Sequence, residues 1–316
     1  MAQDVDGVLV QWGDRLFYPG NRIVKVQPQP RLKGAQRAAY IRARLEAAVR
    51  RAPQVMVKVT GGGRGMKAIA AHLRYISKNG RLEIEDELGR KSQGREAVQE
   101  LAEEWRYAGS LIPEVSDRRE AFNIMLSMPR GVDALTVQRA AREFAELELA
   151  DHKYVMVLHE HQANPHVHLS VRAESRNGKR LNPRKADFLR WREVFAERLR
   201  GWGIEAEATR RATRGVVRRY EPIWRVKARA EHRLRVETSP HRAAPALRGK
   251  RLEAVHAWAR IGRALASSGN AEDVRLARSI SAFVHEMPGV PQRVREQTEP
   301  ARALQPSRGT GAGQSR

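Results

Sequence analysis

The 316-residue chain reads as an α+β protein, an antiparallel β-sheet covered by helices, with a basic helical C-terminal extension. Three observations predict this. Short runs of alternating apolar residues interleave with runs of helical period between residues 54 and 203. The pair Asn177-Gly178 is a tight hairpin turn between two extended stretches. After about residue 205 the composition turns to arginine, and two amphipathic stretches follow.

Residues 1–52 open with short apolar fragments and close on GAQRAAYIRARLEAAVRRA, a basic helical stretch that reads as an N-terminal extension. QVMVKVT, Gln54 to Thr60, alternates as a strand. The triglycine Gly61 to Gly63 then turns the chain into RGMKAIAAHLRYISKNG, a helix that Gly80 closes at its C-terminal cap. A second helix near 94–108 carries Ala97, Val98, Leu101, Ala102 and Trp105 on one face. FNIMLSMP, from Phe122, is a strand, and a helix runs from about Asp133 to Ala150. KYVMVLHEH, the loop QANP and HVHLSVRAES form a hairpin, and Asn177-Gly178 returns KRLNP beside it. DFLRWREVFAERLRGWG is the next helix. Hairpins mixed with helices favour an antiparallel sheet under helices. A catalytic domain over 53–235 is therefore expected. Residues 236–316 would form the extension, with helices near 250–266 and 272–285 and a disordered Gly, Pro, Ser and Arg-rich tail.

Lys and Arg number 59 against 36 Asp and Glu, a formal charge of +23 and a sequence pI near 11.2. A polyanion is the default partner, because cations at phosphates gain from counterion release. No apolar run approaches the roughly 20 residues that cross a bilayer. The opening MAQDVDG lacks the basic start and apolar stretch of a secretion signal, so a cytoplasmic location is expected. The absence of cysteine fits a reducing compartment and leaves histidine and carboxylate as the strong metal ligands.

Four of the ten histidines fall within residues 159–168. Alternate strand residues share a face, so His159 and His161 point one way, as do His166 and His168. A four-residue QANP loop would pair His161 with His166 and His159 with His168, bringing four imidazoles to one face. Met156, Leu158, Val167, Leu169 and Val171 would line the other as core. Three neutral imidazoles leave a divalent ion its full charge for a phosphate oxygen. A polar histidine surface without metal is the competing reading, and the opposed upstream histidine argues against it. The pattern does not choose among zinc, manganese and magnesium.

In the helix after the triglycine, Met66, Ile69, Ala70, Leu73 and Ile76 form an apolar stripe. At about 100° per residue Tyr75 lies roughly opposite Met66, hence exposed, among Arg64, Lys67, Arg74 and Lys78. Such cations favour the phenoxide that a nucleophile needs. An ordinary amphipathic helix with a tyrosine packed on a neighbour competes with this reading. Arg210, Arg211, Arg214, Arg218 and Arg219 are either a solvated charge run or a clamp for single-strand phosphates. Trp191, Trp202 and Trp224 are candidates to stack on bases, and the first two read equally well as core.

Together, GGGRGMKAIAAHLRYISKNGRLEIE and HEHQANPHVHLSV resemble the relaxases, or mobilisation nucleases, of conjugative plasmids. These belong to the single-strand endonucleases named for a His-hydrophobic-His motif, and the T-DNA border endonuclease branch is the nearest. The resemblance covers about residues 54–225, through YISKNGRLEI, the strand ending SMPRGVD, the histidine hairpin and TRRATRG in that order. It implies a relaxase-like palm that nicks one strand at an origin of transfer. Tyr75 matches the nucleophile, which forms a 5′-phosphotyrosine, releases a 3′-hydroxyl and reseals the strand after transfer. His159, His166 and His168 match the metal triad, with magnesium or manganese as the working ion and zinc open. The implied partners are single-stranded origin-of-transfer DNA, accessory mobilisation proteins and a type IV secretion coupling protein, with delivery to the recipient.

Two departures stand out. His161 occupies a position where relatives often carry an acid, so it is either an alternative ligand or a proton acceptor for Tyr75. Relatives also use a carboxylate to orient a metal histidine; here Glu160 faces away by alternation and Glu174 lies several residues off. Other readings are a rolling-circle initiator or transposase, a non-catalytic basic single-strand DNA-binding protein, and a metal hydrolase that uses water. Tyr75 precedes the histidine motif, the order that favours a relaxase over an initiator.

Overall fold

The computed structural model describes residues 4–18, 34–160, 162–215, 228–229, 231–233, 245–287 and 290. In chain order the elements are α1 (Val5–Phe17), α2 (Gly34–Val49), β1 (Met56–Gly61), α3 (Met66–Ile76), β2 (Ile84–Asp86), β3 (Lys91–Ser92), α4 (Arg95–Tyr107), β4 (Ala121–Ser127), α5 (Ala134–Glu148), β5 (His152–His159), β6 (His166–Ser175), α6 (Lys185–Gly201), α7 (Pro245–Ala266) and α8 (Ala271–His285). They gather into two compact units, one built on Arg50–Thr209 and the other on the described residues before and after it.

The first unit is the expected α+β architecture. Its six strands run in the order β1-β4-β6-β5-β2-β3, and every neighbouring pair is antiparallel. Both faces are covered. On one, α5 and α6 bury Phe144, Trp191 and Phe195 against Ile124, Leu126, Val167 and Leu169. Phe144 meets Trp191 and Phe195 edge-on, with ring centroids 6.1 and 6.4 Å apart. On the other face, α3 and α4 bury Leu73, Ile76 and Trp105 against Val155 and Val157. Covering both faces explains why β4, AFNIMLS, is apolar almost throughout rather than alternating. Helix α3 ends at Ile76 with Ser77 as its C-cap, earlier than the cap expected at Gly80. Lys78 and Asn79 already have positive φ, and Gly80 then fits a tight approach of the following turn. Gly80 has φ of +81°, and a Cβ there would stand 2.3 Å from the Gly94 carbonyl carbon.

Strands β2 and β3 are not visible as periodicity. Ile84, Glu85 and Asp86 are all buried, and the two carboxylates are neutralised by arginines. Arg142 grips Glu85 with two hydrogen bonds, while Arg90 Nε donates to Asp86 at 2.6 Å. Paired in this way, charged residues line a sheet edge that apolar patterning cannot reveal.

The second unit corrects the reading of residues 1–52 as a separate extension. Helices α1 and α2 share a core with α7 and α8 through Leu9, Leu16, Ile41, Leu45, Trp258 and Ile280. A Cβ on Gly13 would lie 2.4 Å from Ile41 Cγ2, so only glycine permits this approach of α1 to α2. Arg42 joins Asp6 at 2.9 Å and Asp273 at 2.8 Å, and Arg37 pairs with Asp14. Arg44 lies over the Phe17 ring at 4.5 Å and donates to the Tyr18 hydroxyl at 2.6 Å. The described start of the arginine segment belongs here too. Thr213 Oγ1 donates to the Leu16 carbonyl at 2.9 Å, and Trp258 Nε1 donates to the Thr213 carbonyl at 2.8 Å. The sheet unit therefore ends at Thr209, ahead of the boundary expected at 235. The expected disordered tail, residues 298–316, lies outside the described residues. Among those described, no helix is long and apolar enough to cross a membrane.

Candidate active site

His159 is the last residue of β5 and His166 the first of β6, and they pair directly; His168 opposes Val157. This corrects the expected register, which opposed His159 to His168 across a four-residue loop. The loop is longer because Pro165 brings no N–H and its carbonyl is engaged beyond the hairpin, accepting from Met128 N at 3.1 Å and Ser127 Oγ at 3.2 Å. The expected division of faces holds for the described residues. Met156, Val167, Leu169 and Val171 are buried in the core under α5 and α6, with Leu158 packed against it. His161 lies outside the described residues.

His159, His166 and His168 converge. Their ring centroids are 4.7 to 5.0 Å apart, and one nitrogen of each lies within 4.8 Å of the others. His159 Nε2–H donates to the Ile76 carbonyl at 2.6 Å, and His166 Nδ1–H donates to the Asn164 carbonyl at 2.9 Å. Each bond selects a tautomer and leaves the lone pair on the other ring nitrogen, Nδ1 of His159 and Nε2 of His166. The anticipated orienting carboxylate is thus replaced by two backbone carbonyls. Glu174 is engaged elsewhere, by the Ser110 hydroxyl and by Arg180 at 3.6 Å. Burial, and then the neighbouring His159 and His166, push the His168 imidazole down to about 3. It is neutral at physiological pH, the form that binds metal. Three convergent imidazoles, two of them held from behind, fit a divalent cation, though imidazoles alone do not select which one.

Tyr75 is 71% exposed on α3, whose Met66, Ile69, Leu73 and Ile76 are buried as the stripe requires. The helix is tied to the triad next to this tyrosine, since Ile76 supplies the carbonyl that His159 bonds. One turn back, His72 stacks on Tyr75 with centroids 6.2 Å apart and meets His168 edge-on at 6.5 Å. Burial lowers His72 to about 4. Sequence reasoning missed His72; the available signal was its i−3 relation to Tyr75, which places both on one helical face.

Beside the phenol lies an open depression lined by Ala71, Arg74, Tyr75, Lys78, Asn79 and Arg81. Arg64, Lys67 and Arg74 are exposed, and Arg64 donates to the Asp117 carbonyl at 2.6 Å. Asn79 and Arg81 were not anticipated there. Among the other tyrosines, Tyr154 is 4% exposed and burial pushes its phenol up to about 12, whereas Tyr107 is exposed. Trp191 is only 1% exposed, so it is core and unavailable to bases. Trp202 is half exposed, donating to Glu143 at 2.9 Å beneath Arg139. Arg210, Arg211 and Arg214 pack with the helical unit, and Arg214 is partly buried. Arg218, Arg219, Tyr220 and Trp224 lie outside the described residues.

Three convergent histidines thus sit on a central antiparallel hairpin, tied by a hydrogen bond to a helix that exposes a tyrosine. Residues 75–204 match the MobA/VirD2-like relaxase family in its nuclease domain. The match begins at Tyr75 and includes all three histidines. The chain is also 27% identical over 201 residues to the T-DNA border endonuclease VirD2 of Rhizobium radiobacter, covering 57% of this chain and 46% of that protein. Against the T-DNA border endonuclease VirD2 of Agrobacterium fabrum it is 26% identical over 208 residues, covering 58% and 46%. The chain thus spans about half the length of these curated relatives.

Proposed function

We propose that the protein nicks one DNA strand at a plasmid origin of transfer by transesterification onto Tyr75. The observation that carries this reading is the tie between tyrosine helix and triad, in which the residue after Tyr75 accepts the His159 hydrogen bond. The Tyr75 phenolate oxygen attacks the scissile phosphorus, and the bond from phosphorus to the 3′-oxygen breaks. That oxygen leaves as the 3′-hydroxyl after taking up a proton, and the 5′-phosphate stays on the tyrosine. One phosphodiester replaces another, so the released hydroxyl can attack in reverse and reseal the strand. A divalent ion held by His159, His166 and His168, magnesium or manganese first and zinc as the alternative, would supply Lewis acidity at a non-bridging phosphate oxygen. His161 is kept as a candidate alternative ligand or proton acceptor.

Arg64, Lys67, Arg74 and Lys78 would hold phosphates on either side of the scissile one, and Arg210, Arg211, Arg218 and Arg219 would add affinity, while the partly buried Arg214 would contribute little. The substrate in this reading is single-stranded origin-of-transfer DNA in the donor cytoplasm. Accessory mobilisation proteins and a type IV secretion coupling protein would be its partners.

The test is an oligonucleotide carrying the protein's own nick site, incubated with manganese or magnesium. Wild type should give a protein-DNA adduct that survives denaturing electrophoresis, EDTA should prevent it, and the nucleotide should map to the peptide containing HLRYISK. Tyr75→Phe should abolish the adduct and leave single-strand binding unchanged. A nucleotide on Tyr107 or Tyr220 would reassign the nucleophile. Cleavage without attachment would make the protein a metal hydrolase, and binding without cleavage a non-catalytic DNA-binding protein.

A further inference from the structure

Two hydrogen bonds hold the triad from behind, one on His159 and one on His166. His168 has neither kind of support. Its Nδ1 is buried with no hydrogen-bond partner, and so is Nε2 of His72, the ring it meets edge-on. A buried ring nitrogen without a partner is uncommon in a folded protein, and two in adjoining rings share one explanation more economically than two. They are complementary, since a neutral imidazole offers one N–H and one lone pair. The separation defines what joins them. Imidazoles in direct hydrogen bond, with nitrogens about 2.9 Å apart, place their centroids about 5 Å apart. The observed 6.5 Å exceeds that by roughly what one intervening water spans.

We propose that His72 is a positioning residue of the metal site, orienting His168 through a single water that links His72 Nε2 to His168 Nδ1. The water accepts from His168 Nδ1–H and donates to the His72 Nε2 lone pair, which directs the His168 Nε2 lone pair to the ion. His72 also stacks on Tyr75, so one side chain would register the nucleophile's helix against the third ligand, as Ile76 does against the first. This inference rests on the metal reading given above.

The experiment compares two substitutions that separate hydrogen bonding from packing. His72→Phe keeps a flat ring against Tyr75 and removes the acceptor. His72→Gln removes the ring and keeps a polar terminus near the position of Nε2. Calorimetric titration of the full chain with Mn²⁺, without DNA, reads affinity independently of nicking, and thermal melts in EDTA report folding. The expected result is a loss of Mn²⁺ affinity of about 10- to 100-fold for His72→Phe, the usual scale for removing a group behind a metal ligand. His72→Gln should stay within about threefold of wild type, a rescue that a packing role would not give. Wild-type affinity in His72→Phe, or equal losses in both variants with melts unchanged, overturns the proposal while leaving the triad intact. If His72→Phe melts early, a full affinity in His72→Gln still supports the role and a reduced one overturns it. Wild-type protein that binds no Mn²⁺ removes the metal reading and this inference with it.

Discussion

The two faces of the central sheet are built by the same alternation of residues and end differently. Beneath α5 and α6 the face is apolar along its length, and its centre is the cluster of Phe144, Trp191 and Phe195. Beneath α3 and α4 it is apolar only part of the way. Val155 and Val157 are buried under Leu73 and Ile76, and two residues farther along β5 the side chain becomes His159. The helix that covers the apolar part also ends there, with Tyr75 exposed. The first face is specified by packing alone. The second uses packing to hold its rim, where hydrogen bonds to backbone carbonyls orient His159 and His166.

The largest contrast should come from truncating one residue on each face. Phe144→Ala opens the closed core and should cost about 3–5 kcal/mol of stability, measured by denaturant unfolding, with nicking per folded molecule unchanged. His168→Ala or His166→Ala should do the reverse. Metal-dependent nicking should fall by about 100-fold or more, the scale of losing a preorganised electrostatic group. Filter binding should show single-strand affinity within about threefold of wild type, because many cations hold the strand and the triad addresses one phosphate. Comparable losses of binding and nicking would remove the distinction between the faces.

Acid should also separate the two. Burial lowers His72 to about 4, and burial with neighbouring imidazoles lowers His168 to about 3, against about 6.5 for an unfolded histidine. The unfolded chain therefore takes up these protons first. The stability linked to the two groups is full above about pH 6.5 and is lost progressively as pH falls toward their folded values. Melts in EDTA between pH 7 and 4 should show this loss, and His72→Gln should flatten it. An unaltered slope in that variant would assign the acid sensitivity elsewhere.

The smallest expected effect lies off both faces. Each phosphate contact contributes about 0.7 to the log-log salt slope of single-strand binding, so Arg210→Gln with Arg211→Gln should lower it by about 1.4. Arg214→Gln should leave it unchanged, because burial withdraws that guanidinium from phosphates and lowers its pKa. An unchanged slope in the double variant would return the segment to a structural role.

What the sequence discloses follows the range of the interactions. The stripe of α3 is local and was readable with its exposed tyrosine, as was the face on which His159, His166 and His168 lie. The hairpin register was not, because Met128, just past β4, claims the Pro165 carbonyl from 37 positions away. Helix α1 was unreadable for a similar reason. Its glycines look like breaks until Gly13 is found against Ile41. In β2 the buried acids appear charged and solvated until Arg142, 57 residues downstream of Glu85, neutralises one of them. The carbonyls behind the histidines belong to the backbone, where no side-chain motif records them.

The bond from His159 to the Ile76 carbonyl spans 83 residues of chain. The hairpin that brings His159 to His166 closes over a few residues and can form early. Docking of α3 closes a far longer loop, with a correspondingly larger entropic penalty and a later place in folding. If the proposed function holds, the site depends on completed tertiary structure: a chain that has made its hairpin but not yet seated its helix holds the histidines without the tyrosine, and should bind a strand without nicking it.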